Sequence, residues 1–184
     1  MAGGHGAAHG SENKGVALLI AVLALLLALA EVGGKSSQTE ALNSNVQAAN
    51  LWSFFQARTI RQTQLRTAAE QAELDKTPEN RAVIEAQQSR WTATVARWES
   101  EPSTGEGRRE LMARAQVAEA RRDRNMERYH MFEYASAVYQ VGIVVASASI
   151  ITGVALLIWL AGGLGVVGFG LMMLGYFAPG LIHF

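Results

Sequence analysis

Long apolar stretches alternate with a charged region along this chain. Residues 16–30, VALLIAVLALLLALA, are all apolar, and no Asp, Glu, Lys or Arg follows Glu133. A bilayer core about 30 Å thick needs roughly 17–25 helical residues to cross it. We therefore predict three transmembrane helices, at residues 16–34, 135–161 and 164–182.

The two ends of the apolar regions raise separate questions. We expect the first apolar stretch to be a membrane anchor. The alternative is a cleaved signal peptide, because Ala28-Leu29-Ala30 resembles a signal-peptidase site. Residues 1–15 are predicted to form a flexible tail. His5 and His9 in that tail have no fixed geometry and no third ligand, so we predict no metal and no cofactor. The last two spans are predicted to meet in a turn at Gly162-Gly163.

The region between the apolar stretches has helical periodicity. Its apolar residues recur at steps of three and four, and prolines occur only at Pro78 and Pro102. This pattern predicts three helices, at about residues 36–76, 78–100 and 104–133, in an extramembrane domain covering residues 35–134. The predicted fold class is an all-α membrane protein with three transmembrane helices and a three-helix, coiled-coil-like extramembrane domain.

Two predicted helices carry a continuous stripe in the four-three spacing of coiled coils. One stripe runs from Leu111 to Tyr139, and the other contains Ile84, Gln88, Trp91, Val95 and Trp98. The stripes could pack within one chain or between subunits. Polar residues in such a stripe can fix the number of subunits, so we predict an intersubunit interface containing Arg122, Asn125 and Tyr129.

The densest aromatic cluster is NLWSFFQARTIRQ, at residues 50–62. The nine positions 52–60 contain four large apolar residues, Trp52, Phe54, Phe55 and Ile60. This exceeds what one helical stripe can bury, so some of them should serve a second contact. Packing in the domain core is one interpretation, and a site for a partner or for interfacial lipid is the other. The predicted interface residues here are Trp52, Phe54, Phe55 and Arg58.

Small residues in the C-terminal apolar region predict close helix packing. On the first of its two spans, Gly142 and Ala146 are four residues apart, as are Ser149 and Gly153. The segment GGLGVVGFG, residues 162–170, has the spacing of a phosphate-binding loop, but no strand precedes it. We therefore expect its glycines to allow helices to approach one another.

Charge and composition exclude several functions. Twenty-nine of the 32 charged residues lie between Lys35 and Glu133, with 15 basic against 14 acidic, which argues against a nucleic-acid-binding domain. No cysteine is present. Enzyme signatures such as a P-loop, GxSxG or HExxH are missing, so we predict no enzymatic activity. The absence of charge after Glu133 argues against ion-coupled transport.

Several segments carry a resemblance to a known family. They are the N-terminal anchor, SQTEA at residues 37–41, NLWSFFQA at residues 50–57 and the closing apolar hairpin. In these the chain resembles a bacterial membrane-protein family catalogued only as a domain of unknown function. The resemblance implies a location in the bacterial inner membrane and transfers no catalytic residues.

These observations predict a non-enzymatic, homo-oligomeric scaffold or assembly protein of the bacterial inner membrane. The alternative is an oligomeric channel lined by the C-terminal hairpin. The expected partners are membrane lipid and further copies of the chain, with another membrane protein complex as an open alternative and no nucleic acid. Positive residues at both membrane junctions predict a cytoplasmic middle domain: Lys35, Arg121, Arg122, Arg124 and Arg128.

Overall fold

The computed structural model describes residues 6–181, with side chains from Lys14 onward, and this part of the chain contains helices and turns but no strand. The predicted all-helical fold is therefore confirmed. The elements are α1 (Gly6–Leu74), α2 (Arg81–Glu99), α3 (Arg108–Thr152), α4 (Leu156–Phe177) and a short 3₁₀ helix (Pro179–Leu181).

The chain forms two compact units. Among the described residues, unit 1 contains residues 6–41 and 123–181, and unit 2 contains Leu42–Arg122. Helices α1 and α3 therefore each contribute to both units, whereas α2 belongs to unit 2 and α4 to unit 1.

Helix α1 is longer than the sequence pattern suggested. The predicted anchor and the first helix of the middle region are one uninterrupted helix, because no proline interrupts the chain before Pro78. This helix begins at Gly6, within the segment predicted to be a flexible tail. The predicted tail histidines, His5 and the side chain of His9, lie outside the described residues.

The starts of α2 and α3 also differ from the predicted positions. Helix α2 begins at Arg81, because the Asn80 side chain stabilises a turn by accepting a hydrogen bond from the backbone N–H of Thr77 (2.7 Å). Helix α3 begins at Arg108, after Gly105, whose φ of 66° interrupts a helical backbone. The predicted breaks near the two prolines are nevertheless present.

The turn between the last two helices was predicted at Gly162-Gly163, and that prediction is wrong. The chain turns after Thr152, and the two glycines lie within α4. Gly153 has a φ of 70°, and its N–H donates to the carbonyl of Ser149 (2.9 Å). This left-handed cap ends α3, since only glycine adopts such a φ at little cost.

Unit 1 has a small core and a large apolar surface. Leu23 of α1 and Tyr139 of α3 are buried together with Met172 of α4. The long helices α1, α3 and α4 each contain a stretch that is long and apolar enough to cross a membrane. Large side chains on the outside of these stretches are exposed, including Ile151 (87%) and Trp159 (81%).

Unit 2 is held together by α1 and α3, with α2 more peripheral. Its apolar core contains Ala48, Leu51, Leu111, Ala115 and Ala118. No residue of α2 is buried, and every member of the predicted α2 stripe is half-buried. Helix α2 contacts α1 through the polar side chains of Gln62 and Gln88 and through Arg58, which lies over the Trp98 ring.

Candidate functional site

The aromatic cluster at residues 50–62 packs inside unit 2. Trp52 donates from Nε1 to Oε1 of Glu119 (2.9 Å) and meets the ring of Phe55 edge-on, with centroids 5.4 Å apart. Phe54 and Phe55 both contact the apolar core of the unit. Neighbouring residues of α1 can be buried at the same time, because α1 packs against α3 on one side and against α2 on another.

Arg58 is almost completely buried within this cluster. Only 8% of its surface is exposed, and its Nη2 donates to Oε2 of Glu106 at 3.0 Å. The guanidinium carbon lies 5.3 Å from the ring centre of Phe54 and 5.6 Å from that of Trp98. The arginine thus joins α1 to α2 and to the segment before α3 through one ion pair and two cation–π contacts.

A second polar group lies beside Arg58. Gln62, with 2% of its surface exposed, donates from Nε2 to the carbonyl of Val95 (3.1 Å) and to Glu99 (3.3 Å). Arg108 donates from Nη1 to both Gln62 (3.1 Å) and Glu99 (2.9 Å), and it lies over the ring of Phe55 at 4.9 Å. One residue from each helix of unit 2 therefore meets in a shared hydrogen-bond network.

The electrostatics of this network favour charged carboxylates. Burial alone would raise the pKa of Glu99, but the hydrogen bond from Gln62 and the charges of Arg108 and Arg109 bring it below its ordinary value. The Ser100 hydroxyl, 2.6 Å from Oε1 of Glu110, lowers the pKa of that carboxyl as well. Both groups are ionised at neutral pH, which suits ion pairing better than proton transfer.

The structure places the predicted interface residues mainly against their own chain. Trp52, Phe54, Phe55 and Arg58 make the contacts described above, as the core interpretation expects. Arg122, Asn125 and Tyr129 are half-buried. The stripe on α3 also packs within the chain, against α1 in each unit. An interface between subunits at these residues stays a prediction.

Two of the four predicted packing residues on α3, Gly142 and Ala146, lie against other helices, and a third, Ser149, is buried. A Cβ at Gly142 would lie 3.3 Å from Leu23, Ala146 is fully buried, and buried Ser149 donates to the carbonyl of Ala146 (2.6 Å). Gly153 is different, because it lies in the turn and a Cβ there would meet no atom within 4 Å. The predicted packing role of Gly153 is not found in this chain.

Two further glycines of unit 1 make close helix contacts, one inside the glycine-rich segment at residues 162–170 and one outside it. A Cβ at Gly168 would lie 2.7 Å from the Tyr139 ring, and a Cβ at Gly33 would lie 2.9 Å from the Phe132 ring. The glycine-rich segment GGLGVVGFG indicated Gly168 in general terms. Gly33 gave no signal, since its contact joins residues far apart in sequence.

Among the residues with described side chains, 14–181, no group of three or more His, Asp or Glu residues could hold a metal ion. Four residues of this polar cluster are not indicated by the sequence: Gln62, Glu99, Glu106 and Arg108. Each looked like a solvated polar residue on a helix surface, and only the packing of three helices brings them together.

These features define a helical protein with two units. One unit contains three helices with long apolar stretches, and the other is stabilised by ion pairs between its elements. The chain belongs to the family described as Domain of unknown function (DUF4337), which matches residues 12–178. This match confirms the resemblance to a family of unknown function. No curated protein and no solved structure matches the chain.

Proposed function

We propose that this protein is a non-enzymatic, homo-oligomeric scaffold or assembly protein of the bacterial inner membrane. The observation that carries the proposal is the outer surface of unit 1. Large apolar side chains cover all three of its helices, among them Leu18, Val22, Val144, Trp159, Val166 and Phe169. A contiguous apolar surface of this extent is unfavourable in water and favourable in lipid.

Unit 2 supports a structural role. Gln62, Glu99 and Arg108 join its three helices by hydrogen bonds and an ion pair. The lowered pKa values of Glu99 and Glu110 suit charged partners rather than proton transfer. A unit of this kind provides a stable surface on which other proteins can assemble. The family resemblance and the apolar helices together support the inner membrane as its location.

Exposed apolar residues on unit 2 support self-association. Leu42 and Val46 are both exposed and lie one turn apart on α1, and Val117 on α3 is exposed as well. A water-facing helix does not need such residues, whereas an interface between copies of the chain would bury them.

We expect Val46→Glu to lower the number of subunits, because it introduces a charge into the proposed interface. The matched control is Val83→Glu, which makes the same substitution at an exposed position on α2. Native mass spectrometry from lipid nanodiscs would report the subunit number of each variant. A wild-type protein that stays monomeric at all concentrations, or equal effects of the two variants, would contradict self-association through this surface.

The alternative of an oligomeric channel has weaker support. The hydroxyls of Ser147, Ser149 and Thr152 each donate to a carbonyl of their own helix. Ser149 is also buried, which removes it from the surface that would line a pore. Ion flux into liposomes containing the purified protein would favour the channel over the scaffold.

The proposed orientation places unit 2 in the cytoplasm. Positive residues concentrate on the cytoplasmic side of membrane proteins. The two proposed membrane junctions carry Lys35, Arg121, Arg122, Arg124 and Arg128. We expect protease added to intact spheroplasts to leave unit 2 uncut and to digest it once the membrane is opened. Digestion in intact spheroplasts would show the opposite orientation.

A further inference from the structure

Unit 1 contains a groove of about 390 Å³ between its three long helices. Its walls are apolar, with Leu29 and Val32 from α1, Phe132 from α3 and Met172 from α4. This volume falls within the range of about 300–1,000 Å³ that is typical of ligand sites in proteins. The groove is therefore large enough to hold part of a small or elongated molecule.

The polar groups of the groove gather at one end. Along α1 the lining changes from Leu29 to Ser36 over two helical turns, and along α3 it changes from Phe132 to Arg128 over one turn. The two helices run in opposite directions through unit 1, since the charged residues follow the apolar stretch in α1 and precede it in α3. Ser36 and Arg128 consequently share the end that faces away from the apolar stretches.

Arg128 is the only charged residue among those that line the groove. It is half-buried, and its Nε is buried without a hydrogen-bond partner among the described residues. None of the residues that line the groove is acidic. A half-buried cation with serine hydroxyls beside it and no carboxylate in the lining favours an anion with several acceptor oxygens.

We propose that this groove binds one anionic phospholipid. Its phosphate would accept hydrogen bonds from Arg128 and from the Ser36 hydroxyl, and one acyl chain would lie along Leu29, Val32 and Met172. The phosphate of such a lipid suits the end with Arg128, and the acyl chain suits the apolar walls. An apolar helix from a second copy of the chain would leave Arg128 without an acceptor. The inference rests on the proposed membrane location of unit 1.

The charge of the site can be tested with Arg128→Gln and a matched control, Arg124→Gln. Arg124 lies one turn earlier on α3, is exposed and does not line the groove. In native mass spectrometry of the full chain in a non-ionic detergent, we expect the wild type to bind phosphatidylglycerol in preference to phosphatidylcholine. We expect Arg128→Gln to weaken phosphatidylglycerol binding about tenfold or more, and Arg124→Gln to change it less than about twofold.

The apolar half can be tested with two tryptophan variants. Leu29 lines the groove, and Leu25 lies one turn earlier on the same helix, is similarly exposed and does not line it. Leu29→Trp should fill the groove and lower phosphatidylglycerol binding about tenfold, whereas Leu25→Trp should leave binding close to the wild type. This pair keeps the test valid if Arg128→Gln does not fold.

Several results would overturn the proposal. They are equal binding of the two lipids, equal losses in the Arg128 and Arg124 variants, no effect of Leu29→Trp, or displacement of the lipid by millimolar inorganic phosphate, which would indicate a free-phosphate site. The same spectra report the number of subunits. Failure of self-association would therefore appear as monomers, with or without bound lipid, and would be distinct from failure of the lipid site.

Discussion

Gly168→Ala is expected to destabilise unit 1 by about 1–3 kcal/mol, the usual cost of forcing an extra carbon into a packed interior. A Cβ at this position would lie 2.7–3.0 Å from three ring carbons of Tyr139, whose side chain is completely buried. The ring cannot move aside without displacing its neighbours Leu23 and Met172. We therefore expect α4 and α3 to separate locally.

Gly170→Ala is the matched control for this prediction. It makes the same change two residues later on α4, where a Cβ would meet no atom within 4 Å. Because alanine favours a helix over glycine by about 1 kcal/mol in soluble helices, this variant should be neutral or slightly more stable. Thermal unfolding followed by circular dichroism in a mild detergent would compare the two. Equal unfolding temperatures would show that the contact between Gly168 and Tyr139 does not limit packing.

A double variant can show that the effect comes from this contact. Tyr139→Leu removes the part of the ring that a Cβ at Gly168 would meet, at the cost of its own lost packing. If the contact is responsible, Gly168→Ala should cost markedly less in the Tyr139→Leu background than in the wild type. An unchanged cost would place the origin of the destabilisation elsewhere in α4.

Arg58→Ala is expected to destabilise unit 2 by about 2–3 kcal/mol, combining a charged hydrogen bond with lost packing. The variant removes the ion pair with Glu106 and the two contacts with the rings of Phe54 and Trp98. Glu106 is itself about half exposed, so water can solvate it after the arginine is gone, which limits the electrostatic part of the loss.

The matched control is Arg61→Ala, on the same helix and at an exposed position. A surface change of this kind is expected to stay within about 0.5 kcal/mol of the wild type. Chemical denaturation followed by tryptophan fluorescence would measure both variants, because Trp52 and Trp98 lie close to the site. Arg58→Ala and Arg61→Ala behaving alike would show that the ion pair and ring contacts contribute little to stability.

Much of the fold could be predicted from the sequence, because it depends on periodicity. The apolar stretches, the all-helical class and the breaks near Pro78 and Pro102 follow from hydropathy and from the chemistry of proline. The turn at Gly153 was missed because two adjacent glycines at 162 and 163 gave a stronger local signal. A left-handed cap needs only one glycine, and the sequence does not say which one adopts a positive φ.

The polar network of unit 2 could not be predicted, for a different reason. Gln62, Glu99 and Arg108 occur on three different helices and resemble ordinary surface residues, so only the packing of those helices makes them partners. The aromatic cluster is evident in the sequence, but its pattern leaves two interpretations open, because excess apolar residues on a helix fit a third helix as well as a second chain. In the structure Trp52 contacts α3 and Arg58 contacts α2, so the cluster packs between helices of its own chain.

Different properties limit which side chains unit 1 can accept: volume at its inner positions and polarity at its outer positions. Inside, a Cβ added at Gly33, Gly165 or Gly168 would lie within 3 Å of a ring or a leucine side chain, which would have to shift. Outside, positions such as Leu18, Ile151 and Val166 have space for side chains of almost any shape. If lipid surrounds the unit, variants selected for stable folding after random mutagenesis should accept few substitutions at the inner positions. At the outer positions they should accept most exchanges of one apolar residue for another.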